Sequence, residues 1–228
     1  MPPTQSETWD IGRFWQTLDF FGELPVISWF QTMFFPAPPL PPPVVEAGYI
    51  FDFRCPSDTM AEIWGSVDDV VMGGVSASRF TLTPEGALFA GEVSTQNSGG
   101  FASVRSRNFS PPLNLQTATG QTPTGITLRV KGDGQRYKFL VRDAAGWDRL
   151  AYAYSFDTVA GAWITVQIPF AQMQPVFRAK TVPDAPPLNS AQIYALQLML
   201  SKFEYDGQLN PQFQPGAFNL LVESIGVY

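Results

Sequence analysis

Ile126-Thr127-Leu128-Arg129-Val130-Lys131 sets an apolar side chain at every second position. A period of two belongs to a strand with one face on a core and the other toward water, because successive side chains leave a strand on opposite sides. Outward from this stretch, short runs rich in β-branched and aromatic residues recur at Tyr49–Arg54, Ser78–Thr83, Leu88–Ser94, Phe101–Arg105 and Gly125–Lys131. They continue at Arg136–Arg142, Ala151–Phe156, Trp163–Ile168, Ile193–Ser201 and Phe218–Val222. Gln197-Leu198-Met199-Leu200 reads as a more fully buried strand. Turn signals separate the runs: Thr-Pro-Glu-Gly at 83–86, Gly-Asp-Gly at 132–134 and Ala-Ala-Gly at 144–146. Short strands in this number, without long helical patterns or room for crossover helices, predict an all-β, two-sheet β-sandwich or jelly roll.

Composition narrows the chemistry. The 228 residues include no His and one Cys, and 14 basic against 20 acidic side chains leave a net charge of −6. Without His there is no Ser-His-Asp triad, histidine base or His-ligated zinc, and one Cys cannot form an internal disulfide. No catalytic residue, metal or cofactor is expected. The acidic balance argues against broad nucleic-acid binding. The start, MPPTQSETW, has no basic region followed by an apolar run, and no stretch of 18 or more apolar residues exists. The expected location is therefore the cell interior, cytoplasmic or peripheral at a membrane. Cys55, beside Pro56, is expected to be a buried small hydrophobe rather than a nucleophile.

Residues 1–43 stand apart from residues 44–228. They carry one basic residue, Arg13, against Glu7, Asp10, Asp19 and Glu23. Ile11, Phe14, Trp15, Leu18 and Phe21 recur at helical spacing, and a second run, Val26–Phe35, includes Trp29, Phe30 and Phe34. Pro36 to Pro43, PAPPLPPP, predicts an extended spacer. Two readings are open: a helical hairpin folded onto the following domain, or an anchor for a membrane surface or partner through Phe14, Trp15, Leu18, Trp29, Phe30 and Phe34.

Trp64-Gly65-Ser66-Val67-Asp68-Asp69-Val70-Val71-Met72-Gly73-Gly74-Val75-Ser76 sets two carboxylates before a glycine pair and runs on through Ser78-Arg79-Phe80. Phe89-Ala90-Gly91-Glu92-Val93-Ser94 follows, then Asn97-Ser98-Gly99-Gly100-Phe101-Ala102-Ser103-Val104-Arg105, Val130 to Lys138, and Ile168-Pro169-Phe170. Together these resemble the family of mitochondrial complex I intermediate-associated protein 30, itself similar to the galactose-binding-like β-sandwiches. The resemblance covers about residues 49–228. It implies a non-catalytic assembly or accessory factor that binds intermediates of a membrane redox complex, respiratory complex I-like or photosynthetic. It also implies peripheral attachment at the inner or thylakoid membrane. Plant chloroplast relatives join the domain to a dehydrogenase-like one; this chain has no GxGxxG fingerprint for such a domain. Its aromatic N-terminal segment and proline spacer are similar to those of cyanobacterial members. The family pattern Phe-Arg-Gly reads Phe177-Arg178-Ala179 here.

The residues themselves leave several roles open. Asp68 and Asp69 either brace the Gly73-Gly74 turn by accepting backbone N–H groups, or contact a partner, or ligate a metal. Arg105 and Arg107, two apart, share a face if the strand continues, and suit ion pairs or an acidic partner. Lys131 to Lys138 reads as a hairpin turning at Asp133-Gly134, presenting Lys131, Arg136 and Lys138 as a basic patch. Trp64 joins these as a candidate partner contact. The alternative class is a small-ligand or carbohydrate-binding module, with Trp147, Tyr152 and Tyr154, and Trp163 beyond them, as an aromatic platform; the same rings also suit core filling.

Overall fold

The computed structural model of the chain describes residues 40–57, 59–146 and 149–228. The candidate anchors Phe14, Trp15, Leu18, Trp29, Phe30 and Phe34 lie outside these residues, as does Trp147. The described end of the proline run lies on the sandwich. Leu40 bridges Phe109, and its carbonyl accepts from Ser110 N at 2.7 Å.

Two antiparallel sheets make the body. The first orders β3 (Ala77–Thr83), β4 (Gly86–Val93), β13 (Gly216–Val227), β6 (Gly125–Gly132) and β9 (Trp163–Pro169), with β1 (Tyr49–Asp52) also on β13. The second orders β11 (Lys180–Thr181), β10 (Gln174–Phe177), β8 (Ala151–Asp157), β7 (Arg136–Arg142), β12 (Ala195–Ser201), β5 (Phe101–Ser106) and β2 (Trp64–Ser66). Among the described residues the α-helices are single short turns, α1 (Met60–Ile63) and α2 (Leu115–Thr119). This is the β-sandwich, jelly-roll-like architecture the alternation predicts.

Alternating residues fill the space between the sheets. Ile126, Leu128 and Val130 of β6 face Tyr137, Phe139 and Val141 of β7 and Leu196, Leu198 and Leu200 of β12 in one buried cluster. At one end Phe51, Phe53, Trp64 and Phe80 form an aromatic knot; the Trp64 and Phe80 rings stack at 4.9 Å. β13 pairs with β6 along one edge and serves two strands along the other, with a bulge at Glu223: Val222 still pairs with Ala87 of β4, while Ser224 pairs with Asp52 of β1. An extra residue in one strand bends it and re-aims its edge.

Lys131 to Lys138 is not a hairpin. β6 pairs with β9 in the first sheet and β7 with β8 in the second, so the chain crosses between sheets at Gly132–Gln135. The neighbouring crossing, Asp157–Ala162, locks against it: Gly161 N donates to Gly132 O at 2.9 Å, and Thr158 Oγ1 donates to Gln135 O at 2.8 Å. Asp133 holds the corner, accepting from Gln135 N, Tyr137 Oη and Asn219 N. Asp-Gly supplies a turn here as expected, but the core decides that it joins two layers.

Candidate functional site

The Asp68-Asp69 loop is held by hydrogen bonds to separate segments of the chain. It leaves β2 and folds back so that Asp69 meets Ser76 and Asp68 meets Ser78. Asp69 Oδ1 accepts from Ser76 N at 2.9 Å, and its Oδ2 accepts from Ser76 Oγ at 2.7 Å, Gly100 N at 2.7 Å and Phe101 N at 3.2 Å. Asp68 accepts from Ser78 N at 2.8 Å, Ser78 Oγ at 2.6 Å and Ser103 N at 3.0 Å. Both carboxylates are buried, at 1% and 0% exposure. A buried carboxylate is tolerated only when donors surround it, and these are the chain's own.

The two glycine pairs serve this arrangement. A Cβ on Gly74 would stand 2.3 Å from Asp69 Cγ, and one on Gly99 would stand 2.5 Å from Asp69 Oδ2. Only a residue without a side chain lets the backbone come this close. The geometry is a staple between β2, β3 and β5, with the Asp pair facing inward. Among the described residues no group of acidic, Cys or His side chains has metal-ligating geometry.

The candidate cations do not converge. Arg105 is buried on the outer face of the second sheet, where Nη2 donates to Asn108 Oδ1 at 2.7 Å. β5 ends at Ser106, so Arg107 lies past the strand and shares no strand face with it; its N–H donates to Ile63 O at 2.8 Å. Lys131, on the first sheet, pairs with Glu85 at 2.8 Å and lies over the Trp163 ring at 5.2 Å. Arg136 pairs with Asp157 across β7 and β8, which holds that carboxyl below its usual range. Lys138 is buried: Nζ donates to Phe203 O and Glu204 O, both at 2.6 Å, and burial pulls its pKa down to about 8 against the opposing pull of Glu204. The expected basic patch of Lys131, Arg136 and Lys138 is therefore not assembled, because the crossing at Gly132–Gln135 puts Lys131 on one sheet and the other two on the other.

Trp64 is in the aromatic knot rather than at the surface, at 4% exposure. Tyr152 is also in the core, with its hydroxyl donating to Pro186 O at 2.8 Å, and Tyr154 packs against the same core. These two rings face inward, not onto a surface platform. Cys55, expected to be buried, is exposed because the chain turns outward after β1. Sequence reasoning missed a polar row on the outer face of the second sheet. Arg142 Nη2 donates to Gln197 Oε1 at 3.2 Å, and Gln197 Nε2 donates to Ser103 Oγ at 3.0 Å. It also missed the serine acceptor-donor pair Ser76 and Ser78, whose two-residue spacing after Asp68-Asp69 was the available signal.

With this staple and its glycines in place, the chain matches the family described as Complex I intermediate-associated protein 30 (CIA30) over residues 51–222. The chain belongs to the CIA30 family. CIA30 proteins are non-catalytic accessory proteins associated with the assembly of larger complexes. The matched span begins in β1 and ends at the β13 bulge, so it contains both sheets and the Asp68-Asp69 staple. No individual curated protein matches the chain. Among solved structures it is similar to a family 11 carbohydrate-binding module of the cellulosomal cellulase Lic26A-Cel5E of Clostridium thermocellum. That match has 15% identity and a TM-score of 0.53, and covers 78% of this chain and 92% of that one. An agarase, AgWH50C, is similar at 8% identity and a TM-score of 0.50, over 80% of this chain and 26% of the agarase. At these identities the likeness is one of fold. No helix among the described residues is long and apolar enough to cross a membrane.

Proposed function

We propose that this CIA30 protein is an assembly factor that binds intermediates of a membrane redox complex, either respiratory and complex I-like or photosynthetic, from a peripheral position at the inner or thylakoid membrane. The observation that carries the reading is the family match across both sheets, residues 51–222. In this reading Asp68, Asp69, Trp64, Arg105 and Lys138 act by holding loops and sheets in shape. Arg107, Lys131 and Arg136, none of them buried, supply contacts to an acidic partner surface. The N-terminal aromatics Phe14, Trp15, Leu18, Trp29, Phe30 and Phe34 supply the anchor.

The small-ligand reading draws on fold likeness alone, and Tyr152 and Tyr154, its candidate contacts, face the core. The assembly reading is tested by affinity capture of the full chain from its own cells, with gentle membrane solubilisation and mass spectrometry. A Phe14→Ser, Trp15→Ser, Leu18→Ser variant is run beside it. Subunits of one membrane redox complex, enriched with the wild type and depleted with the variant, are the expected result. Recovery of no such subunit by the wild type would sink the reading.

A further inference from the structure

Two loops at the β11 edge of the second sheet are stapled together. Asp206 N donates to Ala179 O at 3.0 Å, and the Asp206 carboxylate accepts from Thr181 N at 2.9 Å and Thr181 Oγ1 at 2.8 Å. From behind, Lys138 holds the second loop through its Phe203 and Glu204 carbonyls. Between the loops lies an open depression of about 540 Å3, lined by Arg178, Ala179, Lys180, Phe203, Asp206 and Gly207. Arg178, Ala179 and Asp206 all have left-handed φ, at 50°, 62° and 55°, the backbone of the tight turns that bound the depression.

The exposed groups of this edge are apolar tips and cations, with one carboxylate, Asp206, among them. Phe177, Phe203 and Leu209 are exposed at 39%, 38% and 70%. Each ring has a cation over it: Arg178 over Phe177 at 5.2 Å and Lys202 over Phe203 at 4.9 Å, with Lys180 on the rim. Of the acidic groups in the same loops, Glu204 is buried and bonded to Ser155, while Asp206 bonds Thr181 and stays at the surface near Lys180, leaving three cations against one exposed carboxylate. The edge therefore presents cations and apolar tips together on a protein whose net charge is −6.

We propose that this edge is a docking surface for an anionic lipid bilayer, with Phe177, Phe203 and Leu209 entering the headgroup boundary and Arg178, Lys180 and Lys202 meeting lipid phosphates. Apolar side chains flanked by cations are the pattern that binds such a surface. A peptide adding a strand to the edge is disfavoured, since β11 is two residues long and offers almost no ladder. The surface lies in the sandwich and rests on the peripheral-membrane part of that reading, but not on its protein partner: vesicles without any protein test it, and capture of complex subunits tests the other part.

The full chain is mixed with vesicles of phosphatidylcholine alone and with vesicles also containing phosphatidylglycerol, and sedimented at low and high salt. The wild type is expected to sediment with the anionic vesicles and to release as salt rises. Arg178→Gln, Lys180→Gln, Lys202→Gln together should lower the partition coefficient about 100-fold, at about fivefold per cation. Phe177→Ser with Phe203→Ser should weaken it in both salts, and unfolding midpoints confirm that each variant is folded. If either variant is lost to misfolding, Lys202→Gln with Leu209→Ser replaces it, both being exposed loop positions. A cation variant that sediments like the wild type overturns the proposal, as does a wild type that stays in the supernatant. If the latter binds an acidic protein through these residues instead, the occupant is a protein.

Discussion

Asp69 shows how one side chain ties distant segments together. Its carboxylate joins residues 7, 31 and 32 positions away, and every donor it meets is a backbone N–H or the Ser76 hydroxyl. Asp69→Asn replaces one accepting oxygen by an N–H2 that faces other donors. The expected loss is about 3 kcal/mol of unfolding free energy, read from urea or thermal denaturation. A loss below about 1 kcal/mol would show that the staple contributes little. Lys138 makes a second residue-scale prediction. Its folded amine lies near 8 and its unfolded value at 10.5, so between those values the unfolded chain holds more protons. Stability carried by this residue therefore rises with pH from 8 to 10.5, and the cost of its buried charge is fully present below 8. The stability of the wild type relative to Lys138→Met should climb across that window. A pH-independent difference would remove burial of the charge as the cause.

At the scale of elements, the β10–β11 hairpin turns through Arg178 and Ala179, both in left-handed conformation. An L-residue there costs about 1–2 kcal/mol relative to ordinary backbone, and glycine does not. Glycine would take the backbone at position 179 without that cost, and this chain has Ala179 there. Ala179→Gly is expected to stabilise the fold by about 0.5–1 kcal/mol, visible as a higher denaturation midpoint. Destabilisation would mean that the lost side chain mattered more than the turn. The same element was illegible in the sequence: Gln174-Pro175-Val176-Phe177 is short and carries a proline, which marks an edge strand at best. β2, Trp64-Gly65-Ser66, was missed for a similar reason, with glycine at its centre. The longer strands were legible because burial on one face writes itself as alternation.

For the whole molecule, the two tests of function separate cleanly. Capture of complex subunits reports on the assembly reading, and vesicle sedimentation reports on the β11 edge. Loss of subunits with the N-terminal variant but not with the cation variant would assign protein docking and lipid docking to different ends of the chain.

What the sequence determined by itself was the longer strands, the two-layer class and the family, through alternation and five blocks of residues in order. It determined too that histidine chemistry is absent. Only the tertiary structure decided which turn joins strands of one sheet and which crosses between sheets, because Asp-Gly bends the chain equally well in both. It also decided which charges are buried. Lys138 has the alternation of a solvent-facing residue, yet it is covered by a loop that follows 65 residues later. Burial depends on what packs from elsewhere in the chain, and local pattern carries no record of that.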